Sequence, residues 1–174
     1  ILFFLLKSSM KNIFLFRHGK SNWTNPDHTD IERPLAKRGL RDVPIMSKII
    51  SEKCSNIDLI LCSSSKRTQE TLELSLSVFS KKPEIKILDE LYLASSDRLL
   101  SILNENILSH NNIILIGHNP GLFDFVNEID DNFLFLFPTS AVCHLQVQNN
   151  QNTKLKFKDF KIDTAIKPKD ILLS

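Results

Sequence analysis

Four stretches of this sequence end an apolar run with a cation, an imidazole or an acid. They are Phe14-Leu15-Phe16-Arg17-His18-Gly19, Cys62-Ser63-Ser64-Ser65-Lys66-Arg67, Ile87-Leu88-Asp89-Glu90 and Leu115-Ile116-Gly117-His118-Asn119. Guanidinium and imidazole groups can neutralise the spread negative charge of a phosphoryl group, and a neutral imidazole nitrogen can also attack phosphorus. Arg17, Arg67, His18 and His118 gathered around one point would supply both charge stabilisation and a nucleophile without a metal. The partner still missing from this set is a proton donor to a leaving group. Taken singly each stretch says little, because a histidine after a strand is usually packed or solvated and an acid there usually caps a turn. Their meaning depends on whether the fold brings them together.

The elements that must do so are marked by periodicity. Residues 12–16 are apolar at almost every position, the pattern of a strand covered on both faces; 58–62 and 85–88 read as further strands, and 113–116 as the most buried of the four. Between them lie helical stripes: Leu40, Val43, Met46, Ile49 and Ile50, with Pro44 either kinking that helix or marking its start; Leu72, Leu76 and Phe79, behind the N-cap candidates Ser63, Ser64 and Ser65; and Leu99, Ile102, Leu103 and Ile107, with Ser96 as cap. Asn119 is a good N-cap and Pro120 a good first helical residue. This alternation predicts one α/β domain, a three-layer sandwich with a mainly parallel central sheet, whose right-handed crossovers set the strand ends along one edge. Ligands bind at that edge in such sheets, and Gly19 would let the backbone turn close to one. The polar stretch 20–34 is a long loop expected to border the site. Residues 133–137 form an apolar run, Pro138-Thr139-Ser140 a turn and residues 141–147 a strand. The alternation at 154–158 reads as an edge strand whose lysines discourage pairing with other chains.

With 174 residues, 42% hydrophobic and 24% charged, the chain fits a single globular domain, placed at residues 10–174. Met10 is the expected natural start, leaving residues 1–9 as a disordered upstream extension, too short for a membrane span and without signal-peptide flanks. A net charge of +2 suits an anionic substrate and is too small for a nucleic-acid partner. Cys54, Cys62 and Cys143 are odd in number and unpaired in spacing, which predicts reduced thiols in a cytoplasmic protein. Cys62 and Arg67 suggest a cysteine phosphatase loop, but the segment between them is one residue too short, so Cys62 reads as a core thiol. No cluster has metal-ligand spacing, and no cofactor is implied. His28, His110 and His144 have no motif partner. Ser64, Asn119 and Ser140 are candidates to line the pocket with Gly19, although capping and turn roles would also explain them.

Arg17-His18-Gly19-Lys20-Ser21, Glu32-Arg33-Pro34-Leu35 with Gly39, Ser63-Ser64 with Arg67-Thr68 and Glu70-Thr71, and Gly117-His118-Asn119-Pro120-Gly121-Leu122 together resemble the histidine phosphatase superfamily, and within it the small SixA-type phosphohistidine phosphatases. The resemblance runs from Met10 to about Val147. It implies a phosphoglycerate mutase-like fold, transient phosphorylation of His18, phosphoryl oxygens held by Arg17, Arg67 and His118, and release of phosphate by water. Thr24 stands where mutase relatives usually carry asparagine, and Ser65 where the family often has proline. Glu90 lies where ester-cleaving relatives place their acid. The expected substrate is a phosphohistidine-bearing signalling protein, the alternative a small phosphate monoester, and a third possibility an inactive phosphate-binding interaction domain.

Overall fold

The computed structural model describes residues 10–148 and 154–172. Six strands form one sheet in the order β3-β2-β4-β1-β5-β6: β1 (Met10–Arg17), β2 (Leu59–Ser63), β3 (Glu84–Leu88), β4 (Asn112–Gly117), β5 (Val142–Gln148) and β6 (Phe160–Ile166). β1 pairs with β4, and β2 with β4 and β3, in parallel; β5 runs antiparallel to both β1 and β6. Parallel strands need crossovers, supplied by α1 (Lys37–Lys53), α2 (Lys66–Leu76) and α3 (Ser96–Asn106); α4 (Gly121–Ile129) follows β4, and a short α5 (Pro168–Leu172) ends the described chain.

The uninterrupted apolar runs follow from burial on both faces. Ile13 and Leu15 of β1 join Leu59, Leu61, Ile113 and Leu115 in a core covered by α3 and α4. Phe14 and Phe16, pointing the other way, join Ile60, Cys62, Ile114 and Ile116 under α1 and α2. Each fully buried side chain of this size contributes about 1.5–3 kcal/mol. The result is the expected three-layer sandwich with a mainly parallel sheet.

Several local expectations are corrected. Residues 154–158 form no edge strand: Asn104 brackets the Leu155 backbone, its Oδ1 accepting from the Leu155 N–H at 2.7 Å and its Nδ2 donating to the Leu155 carbonyl at 3.1 Å. Leu155 and Phe157 plug into the core beside α3 and α4, so their alternation reflects two anchors and not a pleat. The edge strand on this side of the sheet is β6, a few residues later. In α1, Leu40 is 50% exposed and off the buried stripe, and the helix continues through Pro44. Ser95, not Ser96, caps α3, accepting from the Arg98 N–H. α4 begins one residue later than expected, with Pro120 at the N-cap, because the Asn119 side chain turns away to donate to the Phe137 carbonyl at 3.1 Å. The apolar run 133–137 has no regular secondary structure, with Phe135 and Phe137 facing inward while Leu134 and Leu136 stand in solvent. The expected extension at residues 1–9 lies outside the described residues.

Candidate active site

The carboxyl ends of β1, β2 and β4 lie side by side, and the residues that leave them converge. Arg17 closes β1, opposite Gly117 at the end of β4. The His18 N–H continues the ladder by donating to the Gly117 carbonyl at 3.2 Å, and the His18 carbonyl accepts from the Ser140 N–H at 3.1 Å. Arg67 rises from the first turn of α2, directly after β2. His18, Arg67 and His118 are all buried. The two imidazole rings lie 5.1 Å apart, centroid to centroid.

Each hydrogen bond fixes a proton. His18 Nδ1 lies 2.7 Å from the Gly19 carbonyl, which can only accept, so Nδ1 carries the hydrogen. Nε2 is then a bare lone pair, facing the Nε–H of Arg67 at 3.3 Å. His118 is arranged the same way: Nδ1 faces Arg67 Nη2 at 3.4 Å, so Nε2–H donates to Ser63 Oγ at 2.8 Å. Both imidazoles are held neutral. Burial lowers His18 well below the usual histidine range; the Gly19 carbonyl pulls it up by less than burial pushes it down, and the neighbouring His118, Arg67 and Arg17 each add a smaller downward push. Burial and the two guanidiniums push His118 down to about 3.

The remaining polar atoms are poised for an anion. Arg17 Nη1 donates to the Phe137 carbonyl at 2.8 Å, yet its buried Nε–H has no partner. Ser64 Oγ, Ser140 Oγ and Asn119 Oδ1 are also buried without partners. Buried polar atoms are seldom left unpaired, and three of these four can donate, which suits phosphoryl oxygens. Burial and mutual repulsion lower Arg17 from its usual value, the response of a buried cation without a counter-anion.

Gly19 plays a different part from the one anticipated. Its N–H is taken by Thr71 Oγ1 at 3.0 Å and its carbonyl by His18, and no described glycine has a positive φ. A Cβ there would lie 2.8 Å from Val43 Cγ2, so a small residue is needed for α1 to pack against the loop. Glu90 sits in the 3-10 turn Asp89–Leu91 with its carboxylate on Arg98, 57% exposed, and no contact joins it to the four central side chains. Cys62 is fully buried in β2, and burial pushes its thiol up to about 12. That disqualifies it as a thiolate nucleophile near neutral pH. Among the described residues there is no group of three or more His, Cys, Asp or Glu side chains that could hold a metal ion.

Two residues escaped the sequence reading. Asp30, in the long loop, meets Arg67 through both its backbone and its side chain. Tyr92 donates to Asp30 Oδ2 at 2.5 Å and sets its ring edge-on to His118, 5.5 Å between centroids. The available clues are that the loop is long and that Tyr92 follows Glu90 just after the third strand.

Comparison with known proteins agrees with this geometry. Residues 13–92 match the family model of the histidine phosphatase superfamily (branch 1). A Mycobacterium leprae protein, ML1117, is 25% identical over 143 residues, covering 75% of this chain and 86% of its own. A chloroplastic Arabidopsis thaliana protein, At3g52155, is 28% identical over 123 residues, covering 66% of this chain and 56% of its own length. Among solved structures, one named as a phosphohistidine phosphatase SixA from Agrobacterium tumefaciens superposes with a TM-score of 0.77 at 24% identity, covering 91% of this chain and 98% of that one. The protein histidine phosphatase SixA complexed with tungstate also gives 0.77, at 20% identity over 92% and 99% of the two chains. One named as an alpha-ribazole-5'-phosphate phosphatase from Escherichia coli gives 0.64 at 16% identity over 91% and 98%. The fold is therefore that of the SixA structures, phosphoglycerate mutase-like, and the segment that carries Arg17, His18 and Arg67 is the one that matches the model of the histidine phosphatase superfamily, branch 1.

Proposed function

We propose that this protein is a metal-independent phosphatase that acts on phosphohistidine in a cytoplasmic signalling protein. The observation that carries the reading is the state of His18: neutral, with its proton locked on Nδ1 by the Gly19 carbonyl and its Nε2 lone pair turned toward Arg67. In the first step Nε2 attacks phosphorus, the bond from phosphorus to the substrate's imidazole nitrogen breaks, and that imidazole leaves neutral after protonation. Arg17, Arg67 and the N–H and O–H groups around them take up charge on the phosphoryl oxygens. Water then attacks phosphorus, the bond to His18 breaks, and phosphate departs.

Two features favour phosphohistidine. Between Glu90 and β4 the chain holds only a turn, α3 and short connections, leaving the sheet edge uncapped for a protein surface. The carboxylate suggested for an ester-cleaving acid rests on Arg98, away from the two histidines. A small phosphate monoester is the second reading, favoured by the likeness of fold to the Escherichia coli structure named as an alpha-ribazole-5'-phosphate phosphatase.

The test is brief exposure to ³²P-labelled phosphohistidine protein in the presence of EDTA, followed by denaturation. Acid-labile, base-stable label is expected on the native protein and none on His18→Ala. Label on a cysteine, or a strict requirement for added magnesium or zinc, would contradict the mechanism. The substrate choice is settled by comparing kcat/KM on phosphohistidine protein with that on a panel of alkyl phosphates.

A further inference from the structure

The guanidinium of Arg67 has two edges, and the loop of residues 20–34 occupies one of them. Toward the histidines, Nε faces His18 Nε2 and Nη2 faces His118 Nδ1. On the opposite edge, Nη1 donates to the Asp30 carbonyl at 2.5 Å and Nη2 to Asp30 Oδ2 at 2.9 Å. One residue thus grips that edge with two parallel hydrogen bonds, one from its backbone and one from its side chain. Such a fork fixes the plane of a guanidinium as well as its position.

Asp30 is in turn held from every side. Its Oδ1 pairs with Arg33 Nη2, and the Arg33 guanidinium carbon sits over the Trp23 ring, 3.4 Å from the ring centre. Its Oδ2 also accepts from Tyr92, whose ring abuts His118. The 3-10 turn that presents it, Asp30–Glu32, is fastened at its start by the Glu32 carboxylate, which accepts from both the N–H and the O–H of Thr29. Its far side is fastened where Glu70 of α2 accepts the Leu35 N–H at 2.6 Å.

We propose that Asp30 is a positioning residue: it holds the outer edge of Arg67 so that the Nε and Nη2 hydrogens of the inner edge point to the place where a phosphoryl group joins His18. The inference rests on the phosphatase reading of the site and goes beyond it by assigning a role to the loop. The acceptor atoms of the Asp30 carboxylate are taken up by Arg33, Arg67 and Tyr92, so it acts through Arg67 and not on the leaving group.

The sign of the effect makes this testable. On charge alone, removing an anion beside a phosphate site would strengthen phosphate binding, so a loss reports lost orientation. Asp30→Asn and Asp30→Ala are made in the native protein and in Arg67→Ala, and kcat/KM on a phosphohistidine peptide is measured with the affinity for inorganic phosphate and the thermal midpoint. In the native protein, Asp30→Ala is expected to lower kcat/KM about tenfold or more, the scale of a misplaced catalytic group, and to weaken phosphate binding. In the Arg67→Ala background the same change should cost less than about twofold, because the group it positions is gone. Equal losses in both backgrounds would show a purely structural role and overturn the proposal. So would a gain of activity, which would make Asp30 a competitor for Arg67. Phosphate affinity separates this idea from the reading beneath it: a protein that turns over no substrate, yet binds phosphate in an Asp30- and Arg67-dependent way, refutes the phosphatase and keeps the positioning role.

Discussion

In the proposed reaction the chemistry at His18 turns on which nitrogen carries the proton, and a single backbone carbonyl decides it. The same economy separates Glu90 from the reaction. An alkoxide leaving group needs a proton in the transition state, whereas a phosphohistidine imidazole can be protonated beforehand and leaves neutral. With its carboxylate on Arg98, Glu90 is expected to matter little for phosphohistidine. Glu90→Gln should keep kcat/KM on that substrate within about threefold of native, far from the ~10²- to 10⁴-fold typical of lost general acid catalysis. A hundredfold loss on phosphohistidine would put the carboxylate back among the reacting groups. Arg17, His18, Arg67 and His118 were legible in the sequence because each follows directly from the end of an apolar strand. Asp30 was not, because its partners Arg67 and Tyr92 lie 37 and 62 residues away along the chain and meet it only when the loop folds back.

The elements place these side chains through close backbone packing. The first residue of α4, Gly121, lies so near the segment after Tyr92 that a Cβ would stand 1.9 Å from the Ala94 carbonyl oxygen. Backbone cannot yield as a flexible side chain can, so Gly121→Ala must push α4 from residues 92–94 and carry His118 and Tyr92 with it. The expected cost is at least the ~1–3 kcal/mol of an overpacked core, a fall of roughly 5 °C or more in Tm for a chain of this length. Activity should fall as well. Gly117→Ala, where the added Cβ meets only ordinary contacts at 3.4 Å or more, should be milder in a parallel melt. Similar melting points would show that the 92–94 segment moves freely. β1, β2 and β4 were readable because burial on both faces leaves an unbroken apolar record, and the three crossover helices because each buries a single stripe. β6 was misplaced because Leu155 and Phe157 mimic strand alternation while Asn104 occupies the backbone groups a ladder would need.

Across the whole molecule, the neutral histidines link the site to stability. The sheet order gathers β1, β2 and β4 at its centre, so whatever leaves their carboxyl ends is buried by the loops around it. That burial lowers the affinity of His18 and His118 for protons in the folded state, whereas in the unfolded chain both titrate near 6.5. The sign follows directly. Above pH 6.5 neither state binds these protons and nothing is lost. As pH falls below 6.5 the unfolded chain takes them up and the native protein does not, so stability drops until the folded values are reached, about 3 for His118. Between pH 7.5 and 5 a histidine held neutral, as His118 is, costs about 2 kcal/mol, and His18 adds to the loss in the same direction, against the 5–15 kcal/mol typical of a folded domain. The shifted carboxylates, Glu32, Glu84 and Asp163, are lowered from values already below 5 and add to the loss only in stronger acid. His144, lowered by burial against the pull of Asp163, adds to the loss in the same window, so urea unfolding at pH 7.5, 6 and 5 should show this decline, and His118→Gln should remove about 2 kcal/mol of it whatever its effect on stability at pH 7.5. A flat profile would mean that the folded protein takes up the same protons, leaving His18 a cation with no lone pair to offer phosphorus.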